Sequence, residues 1–266
     1  SFSKNIATLL ISSSAKKHQL GILVNAKYFL SSNIMLVIKG LNFSFNLLSI
    51  YTGGTRMYSG NENLINDGQY LPYSVLDFWQ WAYSNLIHNV SRGTFAEFIV
   101  KSALEQNNIP GNCENKTGFE PYDLDGPIIP FLNRASRIEV KSAAFVQQWD
   151  IKHPDRTSFG IAPAKLPDET GDYPQFAEKQ RNNDLYVFTL YTAKDRRRNI
   201  LDLSWWQFFV LPTFLINNDP KLNSQKTISL SKVKELCTCL SFNDLYPAII
   251  SSCEKIGKYY SSIKEQ

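Results

Sequence analysis

The feature that most constrains the fold of this chain is an apolar run, DLYVFTLYTA, from Asp184 to Ala193. The run is rich in β-branched and aromatic residues and follows a polar loop, which is typical of a β-strand. Its apolar residues are nearly continuous and do not alternate with polar ones, a pattern that indicates a strand buried within a sheet. We therefore expect this strand to lie at the centre of the domain, with other elements packed against it.

Helical patterns stand before this strand and near the end of the chain, and shorter strand patterns lie among them. Apolar residues recur at helical spacing in four segments, YSVLDFWQWAYSNLIHN, RGTFAEFIVKSALEQ, ISLSKVKELC and LYPAIISSCEKIGKYYSSIK. Further strands are predicted in SRIEVKSAAF, TSFGIAP and SWWQFFVLP. This order of elements predicts an α/β fold in which one central mixed β-sheet is flanked by helices.

The aromatic residues indicate a well-filled core, since they make up 13% of the chain. In the first helical segment Ser74 is the expected N-cap, and the apolar side chains form one stripe that we expect to pack against the domain. We expect the tryptophans to belong to the core and not to a surface that stacks nucleic-acid bases. These residues are Trp79, Trp81, Trp149, Trp205 and Trp206.

Residues 1–56 differ in composition from the rest of the chain. Charged residues such as Lys27 and Lys39 interrupt their apolar stretches, so none reaches the roughly 20 apolar residues of a membrane span. We interpret residues 1–56 as an atypical N-terminal extension outside the core, and residues 57–266 as a single domain. No membrane partner is expected.

The charge of the chain is mildly positive, with 28 Lys and Arg against 24 Asp and Glu, a formal charge of +4. This excess is compatible with a nucleic-acid partner but does not require one. The positive charges are densest in KDRRRN, where Arg196, Arg197 and Arg198 follow one another. Two interpretations stay open for these arginines: a solvated turn between strands, or a loop that contacts phosphate groups.

Motifs for several other chemistries are missing from the sequence. It has no HExxH or GxSxG motif and no glycine-rich loop of the Walker or dinucleotide-binding type, so we expect no organic cofactor. Its four cysteines form no CxxC pair, and the closest two have no neighbouring histidine, which argues against a zinc site and a disulfide framework. Reduced thiols are typical of the cytoplasm, where we expect the protein to act.

An acidic and a basic residue share one face of the strand pattern RIEVKS. Because side chains alternate along a strand, Glu139 and Lys141 point to one side while Ile138 and Val140 point to the other. One interpretation is an ion pair on a solvated edge strand, which contributes little to stability. The other interpretation is a catalytic pair.

A further acid precedes this strand, in the segment FEPYDLDGPII. Asp123 ends the short strand pattern YDL, and pairing of the two strands in one sheet would bring it beside Glu139. Two carboxylates at that spacing can hold Mg²⁺, and Lys141 on the same face could orient and activate a bound water. These are the groups needed to hydrolyse a phosphodiester bond. Asp125 is an alternative ligand, but we favour Asp123 because the DGP sequence that begins at Asp125 predicts a turn.

Four segments together resemble the PD-(D/E)XK nuclease superfamily, which has a restriction-endonuclease-like fold: YDL, IEVKS, RGTFAEFIV upstream and Gln147 downstream. In that superfamily an acid is followed, after a variable gap, by an acid-x-Lys motif on the next strand. The resemblance extends over roughly 92–193. It departs from the usual pattern in two respects: Tyr122 separates Pro121 from Asp123, and Asp125, two residues on, is a second possible metal ligand.

The resemblance implies a Mg²⁺-dependent endonuclease of the restriction type that hydrolyses phosphodiester bonds of DNA, with Mn²⁺ as a substitute cation. It implies that Asp123 and Glu139 bind the metal and that Lys141 positions the attacking water. Glu97 matches a helix acid that supports this site or binds a second metal, and Gln147 matches a glutamine that steadies the site or touches the substrate. The arginines of KDRRRN would contact phosphate groups. Nucleases of this kind that cut duplexes are often dimers, so a homodimer is expected too.

Two other functions remain compatible with the sequence. The same fold could be a catalytically silent binding module, which binds nucleic acid without cleaving it. Alternatively, Glu139 and Lys141 could form a surface ion pair on a structural or protein-interaction domain. Nucleic-acid binding and metal-dependent cleavage, measured together, separate these three functions.

Overall fold

The structure is a computed structural model. The chain forms two compact units, Ser1–Phe78 and Trp79–Gln266. Side chains are described in four ranges of the chain, 58–109, 121–147, 156–165 and 178–265. The backbone of two further strands is also described, β1 (Asn33–Ile38) and β2 (Leu41–Asn46). Lys27, Lys39 and Trp149, which the sequence singled out, lie outside the described residues.

The first unit contains two antiparallel hairpins. One hairpin pairs β1 with β2. The other pairs β3 (Asn63–Asn66) with β4 (Gln69–Ser74). Asp67 and Gly68 form the turn of the second hairpin, and their φ angles are both positive, at 49° and 79°. An Asp-Gly pair favours this kind of tight turn because both of its central residues need a positive φ.

Helix α1 (Val75–Tyr83) follows β4 and contains the boundary between the two units. It starts where predicted, since the hydroxyl of Ser74 accepts a hydrogen bond from the backbone N–H of Asp77 at 3.2 Å. However, no residue of α1 is buried, and Trp81 is 84% exposed. The prediction that this helix packs its apolar stripe and its tryptophans into the core is therefore wrong. Residue spacing decides which side chains share a helix face, whereas burial depends on whether another element covers that face.

The second unit contains each of the helices and strands that the later sequence patterns predicted. Its strands are β5 (Leu124–Ile129), β6 (Arg134–Ala144), β7 (Ser158–Gly160), β8 (Leu185–Tyr191), β9 (Trp206–Pro212) and β10 (Thr227–Ser229). Its helices are α2 (Asn89–Glu105), α3 (Thr213–Asn217), α4 (Leu230–Leu236) and α5 (Phe242–Lys264), and Leu203–Trp205 forms a short 3₁₀ turn.

The centre of the second unit is a four-stranded sheet in the order β5-β6-β8-β9. β5 is antiparallel to β6, β6 is parallel to β8, and β8 is antiparallel to β9. β8 lies inside the sheet and all of its residues are buried, as the continuous apolar run predicted. A smaller sheet pairs β7 with β10. The prediction of a central mixed sheet flanked by helices is confirmed.

Different elements cover the two faces of the central sheet. Ile138 and Val140 of β6 belong to a core in which α2 and α5 pack against the sheet. Phe188 of β8 belongs to a second core, on the other face, that includes residues of β7, β10 and α4. Because side chains alternate along a strand, Glu139 and Lys141 point to the face of this second core.

The core contains the two tryptophans at the start of β9, as predicted. Trp206 is buried, and Trp205 is partly buried and packs against the same cluster. The ring of Trp206 meets the ring of Phe95 edge to face, with centroids 5.9 Å apart. This aromatic contact joins α2 to the sheet.

Local capping interactions determine where α4 and α5 begin. The hydroxyl of Ser229 accepts a hydrogen bond from the N–H of Lys232 at 3.2 Å, which caps α4. Ser241 and Asp244 form a capping box at the start of α5. Although α5 has 23 residues, no helix in the described parts of the chain combines the length and the apolar character needed to cross a membrane.

Strand β5 contains the DGP sequence for which we expected a turn. Asp125, Gly126 and Pro127 all lie within β5, and the pairing register shifts between Asp125 and Ile128, which marks a bulge. β5 is an edge strand, and edge strands and bulges are the sites in a sheet that accept proline. A Cβ atom on Gly126 would lie 2.5 Å from Oγ of Ser136, so this position needs glycine. The turn prediction is wrong because a bulge favours the same residue types as a turn.

Candidate active site

The geometry of the candidate site follows from an open edge of β6. β5 pairs with β6 as far as Leu124 and Ile138, whereas β8 follows β6 to Ala144. Beyond Ile138, no strand of the described residues pairs with the β5 side of β6. Backbone groups on this edge therefore need other hydrogen-bond partners.

Asp123 supplies one of these partners. Its backbone N–H donates to the carbonyl of Ile138 at 2.9 Å, and its carboxylate Oδ2 accepts a hydrogen bond from the N–H of Val140 at 2.8 Å. Leu124, the next residue, pairs with Ile138 and is the end of the β5–β6 ladder. The Asp123 carboxylate therefore lies at the backbone N–H of Val140, the residue that follows Glu139 in β6.

Asp125, the alternative ligand, occupies a different position on the strand. It pairs with Arg137, which precedes Glu139 by two residues on β6. Two residues along a strand correspond to about 7 Å. Asp123, in contrast, accepts a hydrogen bond from Val140, the residue next to Glu139.

Glu139 and Lys141 form a direct ion pair, in which Nζ of Lys141 donates to Oε1 of Glu139. Their side chains are 19% and 35% exposed, so the pair is half-buried and not fully solvated. Phe188 lies opposite Lys141 on β8 and is buried. Because water screens a half-buried pair less than an open one, each charge acts more strongly on its neighbours here than on a flat surface.

Tyr186 lies opposite Glu139 on β8, and sequence reasoning missed it. Burial raises the pKa of Tyr186 to about 12, and the negative charge of Glu139 adds to this shift. The phenol therefore remains protonated at neutral pH. Its position follows from the register of two strands that are distant in sequence, so no local pattern could have revealed it.

Asp123 and Glu139 match the preferences of Mg²⁺ in ligand type and in relative position. Mg²⁺ in proteins usually keeps several waters and binds one or two carboxylates. The described residues contain no group of three or more His, Cys, Asp or Glu side chains that could hold a metal ion. The two carboxylates thus suit a cation that remains largely hydrated.

Glu97 does not join Asp123 and Glu139 in a common group of three acids. It stands on α2, half-buried beside Ala96, and α2 covers the face of the sheet that contains Ile138. Glu139 points to the opposite face. The structure therefore does not support a metal shared by Glu97, Asp123 and Glu139. A role for Glu97 in supporting the site from the opposite face of the sheet remains a prediction.

Gln147 is buried just beyond the end of β6, where it binds two arginines. Its side-chain Nε2 donates to the carbonyl of Ala144 at 2.8 Å, on the open edge of the strand. Its Oε1 accepts a hydrogen bond from Arg92 at 3.5 Å, and its main-chain oxygen accepts one from Nε of Arg196 at 3.3 Å. Gln147 therefore connects the start of α2 with the loop after β8.

The three arginines of KDRRRN have different surroundings. Arg196 reaches Gln147, as described above. Arg197 is exposed and pairs with Asp195 at 2.8 Å, and this pairing lowers the pKa of Asp195 to about 2. The guanidinium of Arg198 lies over the ring of Trp205, 4.8 Å from its centroid. The cluster is therefore not one uniform phosphate-binding surface, and Arg196 is the member that approaches the site.

Sequence reasoning also missed Arg92, which is buried in the first turn of α2. A signal for it exists in the sequence. Arg92 precedes Ala96 by four residues, so it lies on the buried helix stripe that continues through Ile99 and Ala103. A charged residue on a buried stripe is unusual and marks a position that needs a special environment.

Comparison of the chain with protein-family models and with curated proteins finds no match.

Proposed function

We propose that the protein is a Mg²⁺-dependent endonuclease that hydrolyses phosphodiester bonds of DNA on a restriction-endonuclease-like core. The observation that carries the proposal is the hydrogen bond of the Asp123 carboxylate to Val140, which lies between the half-buried ion-pair partners Glu139 and Lys141 where β6 separates from β5. The order of the acid, the acid-x-Lys strand and the preceding helix supports the same proposal. DNA is the proposed partner, and a homodimer is the proposed assembly for cutting both strands.

Each of the three central side chains has a defined role in this proposal. Asp123 and Glu139 bind the cation, and the hydrogen bond from Val140 fixes the orientation of the Asp123 carboxylate. A bound Mg²⁺, or Mn²⁺ in its place, would neutralise charge on the phosphate and make a bound water more acidic. Lys141 would hold the attacking water beside Glu139 and stabilise the negative charge that develops as the water oxygen bonds to phosphorus and the P–O bond to the leaving nucleotide breaks. The proton that the water loses would pass through solvent to the leaving oxygen.

The remaining residues act around this centre. Glu97 supports the site from α2, and Gln147 positions Arg92 and Arg196 at the end of β6. Arg196 contacts a substrate phosphate, whereas Arg197 and Arg198 contribute to the general attraction of DNA. The free thiols of Cys237, Cys239 and Cys253 fit a protein that acts in the reducing cytoplasm.

A catalytically silent nucleic-acid-binding module is the alternative function. One observation favours it: the ammonium of Lys141 already contacts Oε1 of Glu139, so an ion pair occupies part of the metal-binding group. In a silent module this pair persists and nucleic acid binds without metal. In the nuclease, the cation competes with Lys141 for Glu139.

Cleavage assays test the proposal directly. Supercoiled, linear and single-stranded DNA are incubated with the protein in Mg²⁺, in Mn²⁺ and in EDTA. We expect metal-dependent cleavage that falls about a hundredfold or more in Glu139→Ala and in Lys141→Ala, since each removes a group that acts in the transition state. Lys101→Ala is the matched control, because it removes a lysine from an exposed ion pair with Glu105 on α2.

The outcomes separate the two functions. Cleavage by Lys141→Ala at the parental rate contradicts the mechanism. DNA binding in EDTA, unchanged in Glu139→Ala and never followed by cleavage, establishes the silent module.

A further inference from the structure

A cavity of about 220 Å³ opens beside the end of β6, between the start of α2 and the start of β7. Its polar lining consists of Asn89, Arg92, Ser142, Gln147, Thr157 and Ser158. Among the described residues, this lining contains one cation and no carboxylate. The volume is below the roughly 300 Å³ at which pockets begin to accept drug-sized molecules. The cavity therefore suits a small anionic group.

The guanidinium of Arg92 gives this cavity a buried positive charge. Arg92 is 4% exposed, and its Nη atoms donate to three neutral oxygens, those of the Ile87 carbonyl, the Asn89 side chain and the Gln147 side chain. No carboxylate of the described residues forms an ion pair with it. Buried charges in proteins are normally paired, because removing them from water is unfavourable. Burial accordingly lowers the pKa of Arg92, although the group stays charged.

The position of Arg92 in α2 makes this charge less favourable still. It lies in the first turn of the helix, where the aligned backbone dipoles already produce a positive potential. The N-cap residue, His88, makes no side-chain hydrogen bond to the first turn. An anion in the cavity would be favoured both by Arg92 and by the N–H groups at the helix start.

Two buried donors in the cavity have no hydrogen-bond partner among the described residues, Nε of Arg92 and Oγ of Ser142. Buried polar groups in proteins are nearly always hydrogen-bonded, so such donors indicate a bound group with acceptor oxygens. Arg196 does not line the cavity but binds the main-chain oxygen of Gln147, a lining residue.

We propose that this cavity, the Arg92 pocket, binds a phosphate group of a nucleic-acid strand. Phosphate presents several strong acceptor oxygens, which match Nε of Arg92, Oγ of Ser142 and the first N–H groups of α2. Ser142 follows Glu139 by three residues, about 10 Å along β6, and its side chain points to the opposite face, so the pocket holds a phosphate other than the one attacked. The anion pocket itself stands on the contacts of Arg92, whereas its assignment to nucleic acid rests on the proposed function.

Thermal unfolding with inorganic phosphate tests the pocket without any cleavage. Phosphate is added at constant ionic strength, with chloride as the balancing anion. We expect the Tm of the parent protein to rise with phosphate concentration, because a ligand of the folded state stabilises it by mass action. Arg92→Met should abolish the rise, and Lys101→Met, which removes a lysine from the exposed ion pair with Glu105, should retain it. A rise of equal size in Arg92→Met overturns the proposal.

Ser142→Asp gives a second test that does not remove Arg92. The new carboxylate would stand beside Arg92 and take the place of the anion. We expect a higher Tm than that of the parent in the absence of phosphate, and no further rise when phosphate is added. A lower Tm together with an unchanged phosphate response contradicts the proposal.

Oligonucleotide binding in EDTA identifies the source of the phosphate. Fluorescence anisotropy compares a single-stranded oligonucleotide with and without a 5′-phosphate. We expect Arg92→Met to weaken binding about tenfold or more and to reduce the slope of log K against log salt by about 0.7, the value for one phosphate contact. Tighter binding of the phosphorylated strand assigns the pocket to a terminal phosphate, and equal binding of both strands assigns it to an internal one.

The pocket and the nuclease function can fail separately. If Arg92→Met binds phosphate and the oligonucleotide like the parent, and Glu139→Ala loses cleavage, the Arg92 pocket proposal is wrong and the nuclease proposal stands. If phosphate and oligonucleotide binding depend on Arg92 but no condition gives cleavage, the Arg92 pocket proposal stands and the nuclease proposal is wrong.

Discussion

Two buried charges lie at opposite ends of the parallel strands β6 and β8, and their surroundings differ. At the amino-terminal end, the side chain of Asp184 is 7% exposed, and its two oxygens accept hydrogen bonds from the guanidinium of Arg134 at 2.7 and 2.8 Å. The N–H of Arg137 donates to the same carboxylate at 2.8 Å. At the carboxyl-terminal end, Arg92 binds only neutral oxygens.

The charge of Asp184 has a structural role, whereas the charge of Arg92 is suited to binding a ligand. Asp184 is satisfied by groups of the chain itself, and it ties the start of β6 to the start of β8. Arg92 lacks an opposite charge among the described residues. In open α/β sheets, ligands bind outside the carboxyl ends of the parallel strands, and Arg92 lies at that end. The comparison leads to four predictions, from the largest expected effect to the smallest.

The largest effect is expected for Asp184→Asn. Arg134 would lose its bidentate anionic partner, and the free energy of unfolding should fall by about 3 kcal/mol, the lower end of the range for breaking a buried pair, since Arg134 is partly exposed. Urea unfolding at neutral pH measures this change. Asp195→Asn, which breaks the exposed pair with Arg197, is the matched control and should have no measurable effect. Equal effects of the two variants would mean that burial does not distinguish these pairs.

A smaller effect is expected for Arg134→Lys. Lysine keeps the positive charge but loses the planar fork that binds both oxygens of Asp184, so the free energy of unfolding should fall by about 1 kcal/mol. The same urea unfolding assay measures it. A loss as large as that of Asp184→Asn would show that the fork geometry matters more than the charge.

A still smaller effect is expected for Arg92→Met in the absence of anions. Methionine removes a buried charge without an opposite partner, and this gain offsets the loss of hydrogen bonds to neutral oxygens, so stability should stay within about 1 kcal/mol of the parent. Urea unfolding in a chloride buffer provides the measurement. A loss close to that of Asp184→Asn would show that Arg92 supports the fold in the same way as Asp184.

At neutral pH we expect no change in the free energy of unfolding for Tyr186→Phe. Tyr186 is the second residue of β8. The folded pKa of Tyr186, about 12, is raised above the ordinary value of 10.0 by burial. The neutral phenol therefore contributes stability that is complete below pH 10 and is lost as the pH rises towards 12. Urea unfolding between pH 9 and pH 12 should show a steeper decline in the parent than in Tyr186→Phe, in which Tyr191 and Tyr260, whose pKa values burial also raises, still titrate. Parallel declines would contradict the assignment to Tyr186.

Local sequence patterns predicted most elements of the second unit. The continuous apolar run predicted that β8 is buried, and the helical spacing in ISLSKVKELC predicted α4. Patterns failed where burial or register decides the outcome. The apolar stripe of α1 is not buried, and Asp125 lies in a bulged edge strand where we expected a turn.

The candidate site shows the same division between local and long-range information. Alternation along β6 predicted that Glu139 and Lys141 share a face, because that face is fixed by the geometry of one strand. The choice between Asp123 and Asp125 needed the register between β5 and β6. Gln147 was recognised from sequence, but its contacts with two arginines were not, since all three come from separate segments.

The sequence by itself therefore determined the helices and strands, the mixed α/β class and the pairing of an acid with a lysine on one strand face. These features depend on residues a few positions apart, whose spacing the backbone geometry converts directly into a shared face. The tertiary structure alone decided that Asp184 has an ionic partner and that Arg92 has none among the described residues. That difference depends on which distant segments meet at each end of the sheet, because the free energy of a buried charge is set by its neighbours in space and not by its neighbours in sequence.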